Sequence, residues 1–165
     1  LTELVPIKQA VAVYASRAAE KLRAQNSLAQ SIQVFLNTSP FESGYFSRSI
    51  VCQTPFPTND SREIVSAALQ GLASIYKPGH RYLKAGVGLL DVCDRSFNQY
   101  DLFHQGQSNR SDKVMRVLDN TNLKHGRNAL FIGSEGVVQK WAMRQQYKSP
   151  AYTTQWSDIP VVRMG

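Results

Sequence analysis

Residues 30–38, QSIQVFLNT, change side at every step. Ile32, Val34 and Leu36 share one face; Ser31, Gln33, Phe35 and Asn37 share the other, which is the period of a strand with one side in a core. Ser39-Pro40 stops the run. The residues before it repeat differently. Leu4, Ile7, Val11, Tyr14, Ala18 and Leu22 recur every three or four positions, predicting a helix over residues 4–25. Pro6 falls in its first turn, where a missing N–H needs no partner. Lys8, Arg17, Lys21 and Arg23 lie off the apolar stripe.

Outward from this helix–strand pair, Phe46 to Thr54 reads as a second strand ended by Pro55 and Pro57, its inward face left open by the pattern. PTNDSREI (residues 57–64) opens a second helix, with Asp60 as cap and Glu63 placed for a capping box. Ile64, Ala68, Leu72 and Ile75 form its stripe, and Lys77-Pro78-Gly79 ends it. RYLKAGVGLLD (residues 81–91) is a third strand. Leu83, Ala85, Val87 and Leu89 face one way; Tyr82, Lys84, Gly86 and Gly88 face the other. The order helix, strand, strand, helix, strand implies an α+β fold with two helices on one face of an antiparallel sheet. It is a split βαβ arrangement without its first strand, as though the chain began just after it.

After Asp94 the texture changes. Residues 1–94 read as one domain, 95–111 as a linker, and 112–165 as a small, mostly helical appendage. Within it, Asp112 to Asp119 predicts a short helix, residues 129–132 a strand, and residues 137–147 another helix. Trp141, Tyr152 and Trp156 suit either base stacking or pinning an irregular tail.

Composition narrows the function. The chain has 165 residues, 42% of them apolar, enough for a packed core. The net charge of +7 and pI of about 9.6 favour polyanionic partners without demanding them. Cys52 and Cys93 lack zinc-like spacing and suit a reducing, cytoplasmic compartment. No apolar run approaches the length of a membrane span, and no signal peptide opens the chain. His80, His104 and His125 are scattered, and there is no P-loop, nucleophile elbow or HExxH. Asp91 and Asp94 are the one acidic pair at a strand end, and a turn is their simpler role. The residues describe a binding module with no catalytic site and no cofactor. The sheet face bearing Ser31, Gln33, Lys84 and two glycines is either ordinary solvated surface or a groove for a phosphate backbone.

AVYASRAAEKLRAQ (12–25), QVFLNTSPF (33–41), PTNDSREI (57–64), GHRYLKAGVGLLD (79–91), KHGRNALFIG (124–133) and SPAYTTQWSDIPVV (149–162) together resemble the C-terminal part of the UmuC family of bacterial Y-family translesion DNA polymerases. The resemblance covers nearly the whole chain. It implies that residues 1–94 are most of a little-finger domain, a βαββαβ fold that grips template–primer DNA through its sheet. It places the palm carboxylates and their magnesium ions outside these residues. In the complete fold the absent strand would separate the second and last strands of this chain. Those two would then pair directly, or another chain would fill the gap.

The same resemblance gives meaning to Gln99-Tyr100-Asp101-Leu102-Phe103, which is similar to the bacterial sliding-clamp motif Q-L-[SD]-L-F, Tyr100 departing from the usual leucine. Leu102 and Phe103 would fill apolar pockets and Gln99 would bond at their rim. For DNA the expected contacts are Ser31, Gln33, Arg48, Arg81, Tyr82, Lys84 and Gly86, Arg48 on charge alone and Gly86 to let phosphates approach the backbone. The implied setting is the SOS response, with the UmuD′ dimer and a RecA filament as candidate partners of the appendage. The alternatives are a standalone nucleic-acid-binding or repair adaptor, and a protein-interaction module whose charge is incidental.

Overall fold

The computed structural model describes residues 1–41, 44–97, 106–139, 141–142 and 149–162. Helix α1 (Leu4–Ala24) leads into strand β1 (Ser27–Thr38), strand β2 (Ser47–Thr58), helix α2 (Ser61–Ile75) and strand β3 (Tyr82–Asp94). Helix α3 (Asn109–His125) follows. The strands form an antiparallel sheet in the order β2-β1-β3, with both pairings antiparallel.

α1 ends where Asn26 turns into the left-handed region (φ 53°), a conformation that asparagine tolerates better than most residues. Lys21 and Arg23 lie in its last turn, where the helix dipole favours cations. Ile7, Val11, Ala15 and Leu22 point down onto the sheet, and from β1 Ile32, Val34 and Leu36 rise to meet them. α2 supplies Ile64, Ala68 and Leu72 to the same core. Each valine, leucine or isoleucine among them stabilises the fold by about 1.5–3 kcal/mol on leaving water, before ordering costs. Gly71 brings α2 close to β2: a Cβ there would stand 2.8 Å from Cys52 Sγ and 3.2 Å from Ile50 Cγ2.

The expected α+β class and the two helices on one sheet face are present. Three details differ. β1 lies between β2 and β3, so those two neither pair directly nor leave a gap between them. Leu1 instead pairs at the outer edge of β3: its N–H donates to Tyr82 O (2.8 Å) and its carbonyl accepts from Tyr82 N (2.9 Å). β2 does not stop at its prolines. The register slips between Ser31–Gln53 and Ala29–Thr58, so Pro55 and Pro57 sit in the bulged stretch of an edge strand, where no ladder N–H is needed. Thr54 Oγ1 donates to the carbonyls of Gln30 and Phe56 across that stretch. β3 likewise continues past Asp91, which takes a positive φ of 50° within the strand.

The C-terminal segment is joined to the first domain by polar contacts. α3 is longer at both ends than its short apolar stripe implied, with Ser108 capping it through Ser111 N–H. Arg23 of α1 holds Asp119 through two nitrogens at 2.6 and 2.7 Å and reaches Asn59 O and Ser61 Oγ, both at 2.8 Å. Gln107 accepts from Thr58 Oγ1 (2.6 Å) and donates to Asn59 Oδ1 and Asp112 Oδ1. Arg95 also pairs with Asp112. Met115 is buried beneath the start of α2. Residues 129–132 form no strand; Asn122 takes up both backbone groups of Leu130, and a 3-10 turn, Gly133–Glu135, follows. Residues 137–139 and 141–142 are bends and turns rather than helix, and the remainder of that expected helix lies outside the described residues.

Candidate nucleic-acid interface

The strand register lays out the sheet face opposite the helices in four rows: Ser47, Asn37 and Lys84; Ser49, Phe35 and Gly86; Val51, Gln33 and Gly88; Gln53, Ser31 and Leu90. Directly opposed residues in an antiparallel ladder point the same way, so each row is a contiguous strip across the sheet. The first row is the polar one with an exposed ammonium, and Arg81 is exposed just before β3. At the other end of the face the Asp91 carboxylate accepts from Ser31 Oγ. The face is therefore cationic at one end and anionic at the other.

The expected contacts divide accordingly. Gln33, Lys84 and Arg81 lie on or beside the open face. Ser31 belongs to its row but is only 2% exposed and is bonded to Asp91. Gly86 is not an opening for a phosphate: the Phe35 ring covers it, and a Cβ would clash with Cζ and Cε1 of that ring. Its missing side chain accommodates Phe35. Gly88 carries a looser cover, Gln33 Oε1 standing 3.5 Å from where a Cβ would be.

Tyr82 has to be removed from the face. Pairing shifts between Asn37–Lys84 and Thr38–Tyr82, leaving Leu83 as the extra residue. One extra residue reverses every facing beyond it. Tyr82 thus turns into the core at 4% exposure, and Leu83, expected inside, is 62% exposed. The Tyr82 hydroxyl accepts from Lys77 N and donates to Lys77 O, both at 2.9 Å, closing the turn between α2 and β3. Arg48 pairs in register with Leu36, which puts it on the helix side of the sheet rather than on the open face. It is exposed there, its guanidinium 6.0 Å from the Phe46 ring centre.

Phe46 gathers more than Arg48. His80 stacks on it at 4.5 Å, and Lys77 Nζ lies 5.7 Å from its centre. With Arg81 and Lys84, these residues make the start of β3 a basic corner. Ser47 and Ser49 were missed as face residues because the facing of β2 was undecided; pairing with β1 decides it. Lys77 was missed because it reads as a helix terminator.

Gln99 to Phe103, the expected clamp motif, lies outside the described residues. Its flanks are anchored: Arg95 N donates to Asn26 O at 3.0 Å, and Gln107 is held by Thr58 and Asn59. Among the described residues no cluster of His, Cys, Asp and Glu could hold a metal ion, and no helix is long and apolar enough to cross a membrane.

Residues 1–102 match the impB/mucB/samB family C-terminal domain. The chain belongs to this family. Residues 112–162 match a second family, described as a domain of unknown function (DUF4113). Protein UmuC of Salmonella typhimurium is 41% identical over 162 residues, covering 96% of this chain and 38% of the relative. Protein ImpB of Salmonella typhimurium is 38% identical over 168 residues, covering 100% of this chain and 39% of the relative. Protein MucB of Escherichia coli is 40% identical over 161 residues, covering 96% and 38%. The chain thus spans under two fifths of the length of these curated relatives. The alignments run through both matched regions, so the two parts occur together in UmuC-like proteins.

Proposed function

We propose that this chain is the DNA-binding and sliding-clamp-tethering C-terminal region of an error-prone translesion DNA polymerase that acts in the cytoplasm during the SOS response. Nucleotide transfer and its magnesium ions would then belong to a palm domain outside these residues. The UmuD′ dimer and a RecA filament would be further partners of the assembly, with no residues assigned to them.

The observation that supports this reading is the Ser47–Asn37–Lys84 row on the open face of a UmuC-type domain, with Arg81 beside it. Short hydroxyl and amide groups flanking an ammonium suit phosphate oxygens, which need donors and charge but no base-specific shape. A polymerase that copies damaged templates needs such sequence-blind contact. Fluorescence anisotropy on primer–template duplex across a salt series tests it. Arg81→Ala with Lys84→Ala should lower the slope of log affinity against log salt by about 2, one for each phosphate no longer neutralised, with little dependence on DNA sequence. An unchanged slope would remove the open face from the DNA path.

A further inference from the structure

α3 separates its charges. Its carboxylates, Asp112 and Asp119, both turn to the first domain and pair with Arg95 and Arg23. Its bases Arg110, Lys113, Arg116 and Lys124 are all exposed. Beside Lys113 runs an apolar groove of about 390 Å³, walled by Val114, Val117 and Leu118 of α3 and by Leu130, Phe131 and Ile132 of the following segment. Lys113 and Arg62, the latter also paired with Asp60, stand at its rim. Val117 is 60% exposed, Leu130 42% and Val114 41%. The second wall is held in place, because Asn122 bonds Leu130 N and O at 2.9 and 2.8 Å. Met115, the floor beneath α3, is buried.

We infer that this groove docks an acidic amphipathic helix of a protein partner. An apolar trough accepts the i, i+3, i+4, i+7 side chains of such a helix, and a rim of one charge sign selects carboxylates on its flanks. The charge segregation along α3 favours an acidic partner. The inward carboxylates serve the fold by pairing with Arg95 and Arg23, which leaves the exposed bases as the charge that α3 presents outward. A nucleic acid would match the charge but would leave the valines and Phe131 unpartnered. The groove is on the helix side of the domain, away from the open sheet face, so DNA and the partner helix can be held together. Docking in the groove does not require the open face to bind DNA.

The test uses the full chain and a fluorescein-labelled designed helix of about 18 residues, some five turns, with leucines at that spacing and glutamates flanking them. Saturable micromolar binding is expected, weakened at least tenfold by Val117→Asp and by Lys113→Glu. A version of the peptide with lysine for glutamate should regain affinity for Lys113→Glu. Both positions are exposed, so thermal melting should be unaltered, and primer–template affinity of Val117→Asp should match the wild type. Failure of the glutamate peptide to bind, or equal binding to Val117→Asp, would overturn the inference. Displacement of the peptide by primer–template DNA would do so too, making the groove a nucleic-acid site instead. Loss of DNA binding by Arg81→Ala with Lys84→Ala, without effect on the peptide, keeps this test distinct from that of the proposed function.

Discussion

The Phe35 ring lies over the Gly86 backbone on the open side of the sheet. The two are directly paired across β1 and β3, and neither choice of residue makes sense without the other. Gly86→Ala should force the ring aside and cost about 1–3 kcal/mol, the usual penalty for overpacking. In a Phe35→Ala background the same change should cost much less, since the clashing atoms are gone. Chemical denaturation of the four proteins gives the coupling, expected at about 1 kcal/mol or more. Additive effects would show that the glycine is there for a different reason.

Tyr82 and Lys84 are two residues apart but have separate roles. Tyr82→Phe removes the hydroxyl that bonds both backbone groups of Lys77, which should cost about 1 kcal/mol of stability and leave DNA affinity intact. Lys84→Ala should do the opposite: little change in urea midpoint, with weaker and less salt-sensitive DNA binding. A loss of DNA affinity in folded Tyr82→Phe would return the tyrosine to the interface.

That contrast shows where the sequence was legible. Alternation in residues 30–38 and the 3.6 period before it carry enough information to place α1, β1 and the core face of β1. Period-2 reasoning continues to work along β3 until an unpaired residue resets it, and nothing in RYLKAGVGLLD marks Leu83 as that residue. The prolines of β2 look like terminators because sequence does not show that the strand lies at an edge. The contacts holding α3 were illegible for another reason. Arg23, Asp119, Gln107 and Asn59 are far apart in the chain and polar, and hydrophobic periodicity does not report polar pairing.

Asp60 caps α2 through Arg62 N, binds the Arg62 guanidinium and accepts from Ser111 of α3. Burial alone would raise its carboxyl, but the bonds from Arg62 and Ser111 outweigh it and hold the group below the usual carboxylate range. A depressed folded value means that the ionised group stabilises the fold above about pH 4, the unfolded range, and that this stability is lost as pH falls through the lower folded value. Asp60→Asn keeps a capping oxygen but loses the charge, so it should destabilise the protein by about 1–2 kcal/mol at pH 7. Its stability should then fall less steeply than that of the wild type below pH 4. Parallel acid slopes in urea titrations would place the pH sensitivity in other carboxylates.

The segment carrying Leu102 and Phe103 lies in the sequence between Phe97, which ends a 3-10 turn, and Gln107, which is held by Thr58 and Asn59. Two apolar side chains, each contributing roughly 1.5–3 kcal/mol on burial, would give the proposed clamp contact a weak affinity that DNA tethering would strengthen. Leu102→Ala with Phe103→Ala should therefore weaken capture by a bacterial sliding clamp by at least about a hundredfold while leaving affinity for free primer–template unaltered. Calorimetry against the purified clamp checks the first part and anisotropy the second. Retained clamp affinity would remove the motif from the proposed function without touching the sheet.

Asp91 places a carboxylate at the far end of the face proposed for DNA, where it would repel phosphates. Its backbone needs a positive φ, a conformation asparagine adopts at least as readily, and an amide oxygen can still accept from Ser31. Asp91→Asn should therefore leave the melting temperature unchanged while removing the repulsion. Primer–template affinity should rise about two- to threefold at 50 mM salt, a few tenths of a kcal/mol, and the gain should vanish near 0.5 M as screening shortens the reach of the charge. If DNA follows the Lys84 row and never nears the Ser31 row, the substitution will be silent at every salt concentration, and the phosphate track is then confined to the basic corner around Arg81.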